Sequence, residues 1–244
     1  MYNHVQAIEV SIWERHVGTI VPKSGSYYRF EYDSAFLDSG INLAPFELPL
    51  HPGEFSFQNR PSSAFFGMPA VFADSLPDDF GNAVIDKWME QQGVMKHSVT
   101  SLDRLAYIGS RAMGALEYVP ERRPRQNRSL GILMKDVIDQ SRLVLSRKVS
   151  EMAGPQALRE IFRVGTSVGG AQAKAIVGWN PETDEFCVPQ YGMPEGFEHW
   201  MVKITPSERP YLGRAEYRTY DLARACGIDI SESRSTPWTA WTIS

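Results

Sequence analysis

Cysteine is almost missing from this chain: 244 residues contain two, Cys187 and Cys226. Two such distant thiols form neither a disulfide framework nor a C-x-x-C metal site. Long apolar runs are missing too. None approaches the roughly 18–20 residues that cross a bilayer, so no membrane partner is expected. No signal-peptide pattern opens the chain, and a soluble, cytoplasmic protein is the expectation. Neither sign of charge prevails: 25 lysines and arginines stand against 29 acids, a formal charge of −4. That excludes a chain-wide basic surface for nucleic acid or acidic lipid. The five histidines (His4, His16, His51, His97 and His199) share no ligand spacing, so no metal site is expected. What is present is ordinary: 43% hydrophobic and 22% charged residues, enough for one large domain or two small ones.

The first 70 residues read as strands and turns. Val5 to Ile12 is a β-rich run, and His16 to Val21 is another. Tyr28, Phe30 and Tyr32 alternate with Arg29 and Glu31, the pattern of a half-buried strand. Helices follow. Asp78-Asp79 can cap a segment running to Gln92, with Gly93 as its stop. Thr100 opens a second helix, with Asp103 as its capping-box partner. Met113 to Tyr118 returns to extended structure. Pro120 to Arg128 is polar and aperiodic and reads as a linker. Its arginines fit a solvated loop or a phosphate-contacting patch.

Beyond it, Ile132 to Arg147 has helical apolar spacing, and Pro155 suits the first turn of a helix ending near Arg163. Three strand-like runs come next, Ala173 to Trp179, Glu185 to Val188 and His199 to Thr205. Tyr211 to Cys226 reads as a helix stopped by Gly227. This order predicts an α+β fold with an antiparallel sheet in the second half. The expected division is 1–118, a linker at 119–130, and 131–244.

Three places could bear chemistry. Val164 to Lys174 holds three glycines, small side chains and hydroxyls just before a strand. Small residues let backbone N–H groups approach an anion, although a tight hairpin turn explains the pattern as well. It is neither a Walker A loop nor a strict G-x-G-x-x-G. Lys203 stands among apolar neighbours in His199 to Ile204. A phosphate or Glu216 could satisfy its charge, or its head could reach water from a strand edge. A glycine loop, a strand, a lysine on a later strand and an acid on the next helix is the order found in a protein-kinase N-lobe. Asp74, Asp78 and Asp79 could do acid–base work, but turn and helix-cap roles explain them more simply. Ser167 has no triad partners in view.

At these residues the chain resembles the HipA-type serine/threonine kinases, toxins of bacterial toxin–antitoxin pairs associated with persistence. Three stretches show it: Phe72 to Asp78, Leu105 to Gly109 with Met113 to Tyr118, and Ser167 to Lys174. The resemblance implies a β-rich N-terminal subdomain followed by a kinase-like N-lobe. It implies that Ser167, Val168, Gly169, Gly170, Ala171, Gln172 and Lys174 cover ATP phosphates, and that Lys203 holds ATP. Ser167 matches the serine that the family autophosphorylates, an event that ejects the loop. ATP and Mg²⁺ are the family's cofactors. Its partner is a HipB-like helix-turn-helix antitoxin, through which alone DNA is reached, and an aminoacyl-tRNA synthetase is the target of well-known members.

The resemblance stops at Arg234. Ser235 to Ser244 is uncharged, carries Trp238 and Trp241, and is expected to cap nothing. Read one base earlier, codons chosen for this tail can encode Leu-His-Pro-Leu-Asp-Gly-Leu-Asp-His-Phe, which looks like the family's continuation. A frameshift or truncation after Arg234 is the expectation, with the C-lobe and its catalytic and Mg²⁺-binding aspartates absent. No catalytic residue and no metal ligand is assigned, and the chain as given is expected to be inactive. The alternative is a non-catalytic binding module that docks on a kinase core or an antitoxin.

Overall fold

A computed structural model describes residues 2–23, 27–58, 65–112, 114–122, 131–132, 135–139, 174–189, 193–206, 208–235 and 240–243; for Phe80, Gly131, Ile132 and 240–243 it describes the backbone alone. The fold is mixed α+β, and the chain divides into two units. The first comprises residues 1–77 and 89–123, the second 78–88 and 124–244.

The first unit is built on a five-stranded antiparallel sheet. Its strands are β1 (Ile8–Ile12), β2 (Arg15–Lys23), β3 (Tyr27–Tyr32), β4 (Glu54–Ser56) and β5 (Leu116–Val119), in the order β4-β3-β2-β1-β5. Strict alternation makes one face apolar: Ile8, Val10 and Ile12 of β1 are buried, as are Tyr28, Phe30 and Tyr32 of β3. That face joins Leu48, Met68, Phe72, Leu102 and Leu105 in one core. The Phe30 ring meets Tyr32 and Phe72 at centroid distances of 4.9 and 5.0 Å. The Tyr118 hydroxyl, fully inside, donates to Ser75 Oγ at 2.7 Å, and burial pushes its pKa up.

Two short helices lie between strands of this sheet in sequence, α1 (Ser34–Leu37) between β3 and β4 and α2 (Ala70–Ala73) between β4 and β5. Helix α3 covers Asp79–Gln91, and α4 covers Ser101–Ile108. The capping box expected at Thr100 forms: Thr100 Oγ1 accepts from Asp103 N–H, and Asp103 in turn accepts from Thr100 N–H. Asp103 does more than cap. Its carboxylate also accepts from Val5 N–H at 2.9 Å and the Tyr2 hydroxyl at 3.3 Å, and it lies 2.7 Å from His4 Nδ1. Burial alone would raise its pKa, but these hydrogen bonds from His4, Val5 and Thr100 hold it below the usual carboxylate range.

The second unit contains a six-stranded sheet. Its strands are β6 (Gly131–Ile132), β7 (Lys174–Asn180), β8 (Glu185–Cys187), β9 (Glu198–Ile204), β10 (Ser233–Ser235) and β11 (Ala240–Ile243), in the order β10-β11-β9-β7-β8-β6. Every pairing is antiparallel. An Asx-type turn closes the β7–β8 hairpin: Asn180 Oδ1 accepts from Glu182 N–H at 2.9 Å and Thr183 N–H at 3.2 Å. Helix α5 covers Tyr211–Ala225 and stops at Gly227, whose φ is +78°.

Two expectations need correction. Ile132 does not open a helix. Gly131 and Ile132 pair with Cys187 and Phe186, and the described helical residues of that stretch are 135–139. Apolar spacing cannot tell a short strand from the first turn of a helix. The tail after Arg234, expected to cap nothing, supplies a strand: Ala240–Ile243 pairs with β9 on one side and β10 on the other. An apolar, uncharged run with β-branched and aromatic residues suits an inner strand. The rest of the expected helix to Arg147, the helix near Pro155–Arg163, most of the 119–130 linker and Met113 lie outside the described residues.

Candidate functional site

The site grows out of the β7–β9 pair. Successive side chains of a strand face opposite ways, so the pair has two distinct faces. Ala175 and Val177 of β7 and Trp200, Val202 and Ile204 of β9 are buried on one. Lys174, Ile176, Met201 and Lys203 make up the other, and of these Ile176, Met201 and Lys203 are only partly covered. The register sets Lys174 directly opposite Lys203.

Like charges directly opposite one another destabilise a sheet. This pair persists with a carboxylate supplied to each lysine. Lys174 Nζ lies 3.3 Å from Asp78 Oδ2, and both side chains are almost fully enclosed, at 5% and 3% exposure. Asp78 precedes α3, and its other oxygen, Oδ1, accepts from Gly81 N–H at 2.8 Å, an N-cap bond. Burial raises the Asp78 pKa, and the Gly81 hydrogen bond and the Lys174 charge offset part of that rise. Lys203 Nζ donates to Glu216 Oε1 on α5, at side-chain exposures of 20% and 36%. One ion pair is therefore sealed and the other is reached by solvent.

Of the residues singled out from sequence, Lys174, Lys203 and Glu216 are brought together here. Ser167, Val168, Gly169, Gly170, Ala171 and Gln172 lie outside the described residues. Lys203 is not a strand-edge lysine, since β9 lies between β7 and β11. Asp78 was legible as a helix cap but not as the partner of Lys174. The two are 96 residues apart, and no local pattern links them. A second contact was equally hidden. The Arg234 guanidinium lies 4.9 Å from the Trp179 ring centroid and 5.5 Å from that of Trp200, and those indoles cross edge to face at 5.3 Å. Arg122, from the arginine-rich stretch, bonds to the Asn3 carbonyl and lies over the Tyr2 ring.

Chemically, the partly exposed Lys203 ammonium, backed by Glu216, can grip a polyanion such as a nucleotide phosphate chain, while the Lys174 ammonium opposite it is held on Asp78. No group of three or more His, Cys, Asp or Glu side chains gathers for a metal among the described residues. No helix among them is long and apolar enough to cross a membrane.

Comparison with known families gives two matches. Residues 8–119 match the HipA N-terminal domain, and residues 166–240, which include both lysines and Glu216, match the HipA-like C-terminal domain. No curated protein matches the chain closely enough to count as a relative. The two matches follow one another in the order of the family's own domains, and the chain belongs to the HipA family.

Proposed function

We propose that this chain holds ATP as the nucleotide-gripping part of a HipA-like protein serine/threonine kinase. The supporting observation is the lysine pair: Lys174 and Lys203 directly opposite on the less covered face of β7–β9, each with its own acid. In this reading Lys203 binds the ATP phosphates, and Glu216 orients its ammonium. The family resemblance assigns the glycine-rich residues from Ser167 to Gln172, which precede Lys174 in sequence, to the same phosphates. ATP supplies the phosphoryl group. This chain's side chains bind and orient it. Ser167 is the acceptor that the family comparison suggests, and a HipB-like antitoxin is the suggested partner.

Calorimetric titration with ATP tests the reading. The wild-type chain binds ATP, and Lys203→Met binds at least about tenfold more weakly, a loss of about 1.4 kcal/mol. A wild-type chain that binds no ATP sinks it. Phosphoryl transfer also needs metal ligands and a residue that orients the nucleophile. The resemblance assigns neither to a residue of this chain. The purified chain is therefore expected to leave Ser167 unphosphorylated with ATP and Mg²⁺, as read by intact-mass spectrometry. A gain of one phosphate on Ser167 would reverse this.

The closed core of the first unit, residues 1–77 and 89–123, favours a second reading as a docking module. Mixing the chain with a HipA-like kinase core or its antitoxin, followed by size exclusion, decides it. A co-eluting complex supports docking, and separate peaks reject it.

A further inference from the structure

The acid under Lys174 is more heavily built than a helix cap requires. Serine, threonine and asparagine cap as well as aspartate does, and a cap uses one side-chain oxygen. Asp78 commits Oδ1 to Gly81 N–H at 2.8 Å. Its Oδ2 is turned inward onto Lys174 with almost no solvent contact. With one oxygen pinned to the first turn of α3, the other cannot swing away without breaking the cap. The ammonium it holds belongs to the first residue of β7, where the glycine-rich stretch ends. That ammonium shares a face with Lys203. The Lys203–Glu216 pair is far more exposed and lacks such a second tether among its described contacts.

We propose that Asp78 is a positioning residue of the anion site: through its sealed contact it holds Lys174 enclosed opposite Lys203 and so fixes where the open Lys203 ammonium meets the ligand. This rests on the nucleotide reading above. The proposal makes a signed claim. On charge alone, removing a carboxylate leaves the site more positive and should tighten the binding of an anion. As a positioning residue, Asp78 acts the other way. A buried lysine that loses its acid either gives up its proton or turns away towards water, and Lys203 loses the neighbour that fixes its place against ATP.

The experiment is a double-mutant cycle on the full chain, using Asp78→Asn, Lys174→Met and the two combined. Asparagine keeps the cap and removes the charge, and circular dichroism checks that the fold is retained. ATP affinity is read by calorimetry. Asp78→Asn is expected to weaken ATP at least about tenfold, and the combined variant to bind no more weakly than Lys174→Met alone. Unchanged or tighter ATP binding in Asp78→Asn overturns the proposal, as do losses that simply add. Should Asp78→Asn not fold, Asp78→Ser also caps and serves the same comparison.

A second readout needs no nucleotide. Acylation of lysines by an N-hydroxysuccinimide ester, quantified by peptide mass spectrometry, is expected to rise at least tenfold at Lys174 in Asp78→Asn and to stay level at Lys203. If the wild-type chain binds no ATP, the nucleotide reading falls and this labelling still decides the role of Asp78. Unchanged labelling of Lys174 then rejects it.

Discussion

Asp103 shows how much one side chain can hold. It is fully buried and accepts hydrogen bonds from Val5, Thr100 and Tyr2 while His4 stands beside it. Its replacement by alanine strands several buried donors at once. A loss of about 3 kcal/mol is expected, from the usual cost of about 1–3 kcal/mol for each unsatisfied buried group together with partial relaxation. Urea denaturation measures it. The pH dependence has a definite sign. Because the folded pKa lies below the unfolded one, near 3.9, its stabilisation is complete at neutral pH. It is lost as pH falls from about 5 through the depressed folded value. The stability of the wild type should therefore drop between pH 5 and 3 more steeply than that of Asp103→Asn. Parallel curves would contradict this.

Sequence shows half of this arrangement. Thr100 and Asp103 are three residues apart, so their capping box is a local pattern that can be read directly. The contacts to Tyr2, His4 and Val5 span about a hundred residues and leave no such trace. The candidate site divides the same way. Lys203 and Glu216 lie 13 residues apart on neighbouring elements, and the expected order of strand and helix suggests their pairing. Lys174 and Asp78 are brought together by the fold alone.

Among the elements, β2 carries the sharpest packing constraint. The β1–β2 register slips between Val10 and Ser11, a bulge at Val17, the residue just before Gly18. A Cβ on Gly18 would stand 2.1 Å from the Glu31 carbonyl oxygen of β3 and 2.8 Å from the Phe30 ring. The first is backbone and cannot turn aside. Gly18→Ala is therefore expected to destabilise by about 1–3 kcal/mol, the range for overpacking. A lowered urea midpoint with an unchanged slope would show it, and an unchanged midpoint would refute it. Strand identity was largely legible, because Ile8, Val10 and Ile12, and Tyr28, Phe30 and Tyr32, alternate cleanly. The bulge was not, since one extra residue leaves the overall alternation almost intact. Nor was β11 legible: pairing with β9 is a long-range property, and the composition of the run does not state its neighbour.

At the scale of the whole molecule, charge and topology govern. The formal charge of −4 is spread over a chain with no overall basic excess. Binding to duplex DNA draws its affinity chiefly from phosphate neutralisation. The chain alone is therefore expected to leave a random DNA duplex unretarded in a gel shift at 0.15 M salt. Retardation at micromolar protein would overturn that. The α+β class was legible from the order of strand and helix patterns, whereas the division into units was only partly so. Residues 78–88 join the second unit although the chain from 89 to 123 belongs to the first. An excursion of this kind depends on where a helix packs, and hydrophobic spacing along that helix does not reveal it.

The crossing of Trp179 and Trp200 beneath Arg234 gives the second unit an intrinsic optical signature. Two indoles 5.3 Å apart and at 87° to one another couple their electronic transitions, and a guanidinium over both faces shifts the absorption of each. Trp179 belongs to β7 and Trp200 to β9, so the coupled band exists only when these two strands have paired, and the further shift from Arg234 requires β10 as well. Its growth in near-ultraviolet dichroism follows the closing of that sheet in real time, with no label attached.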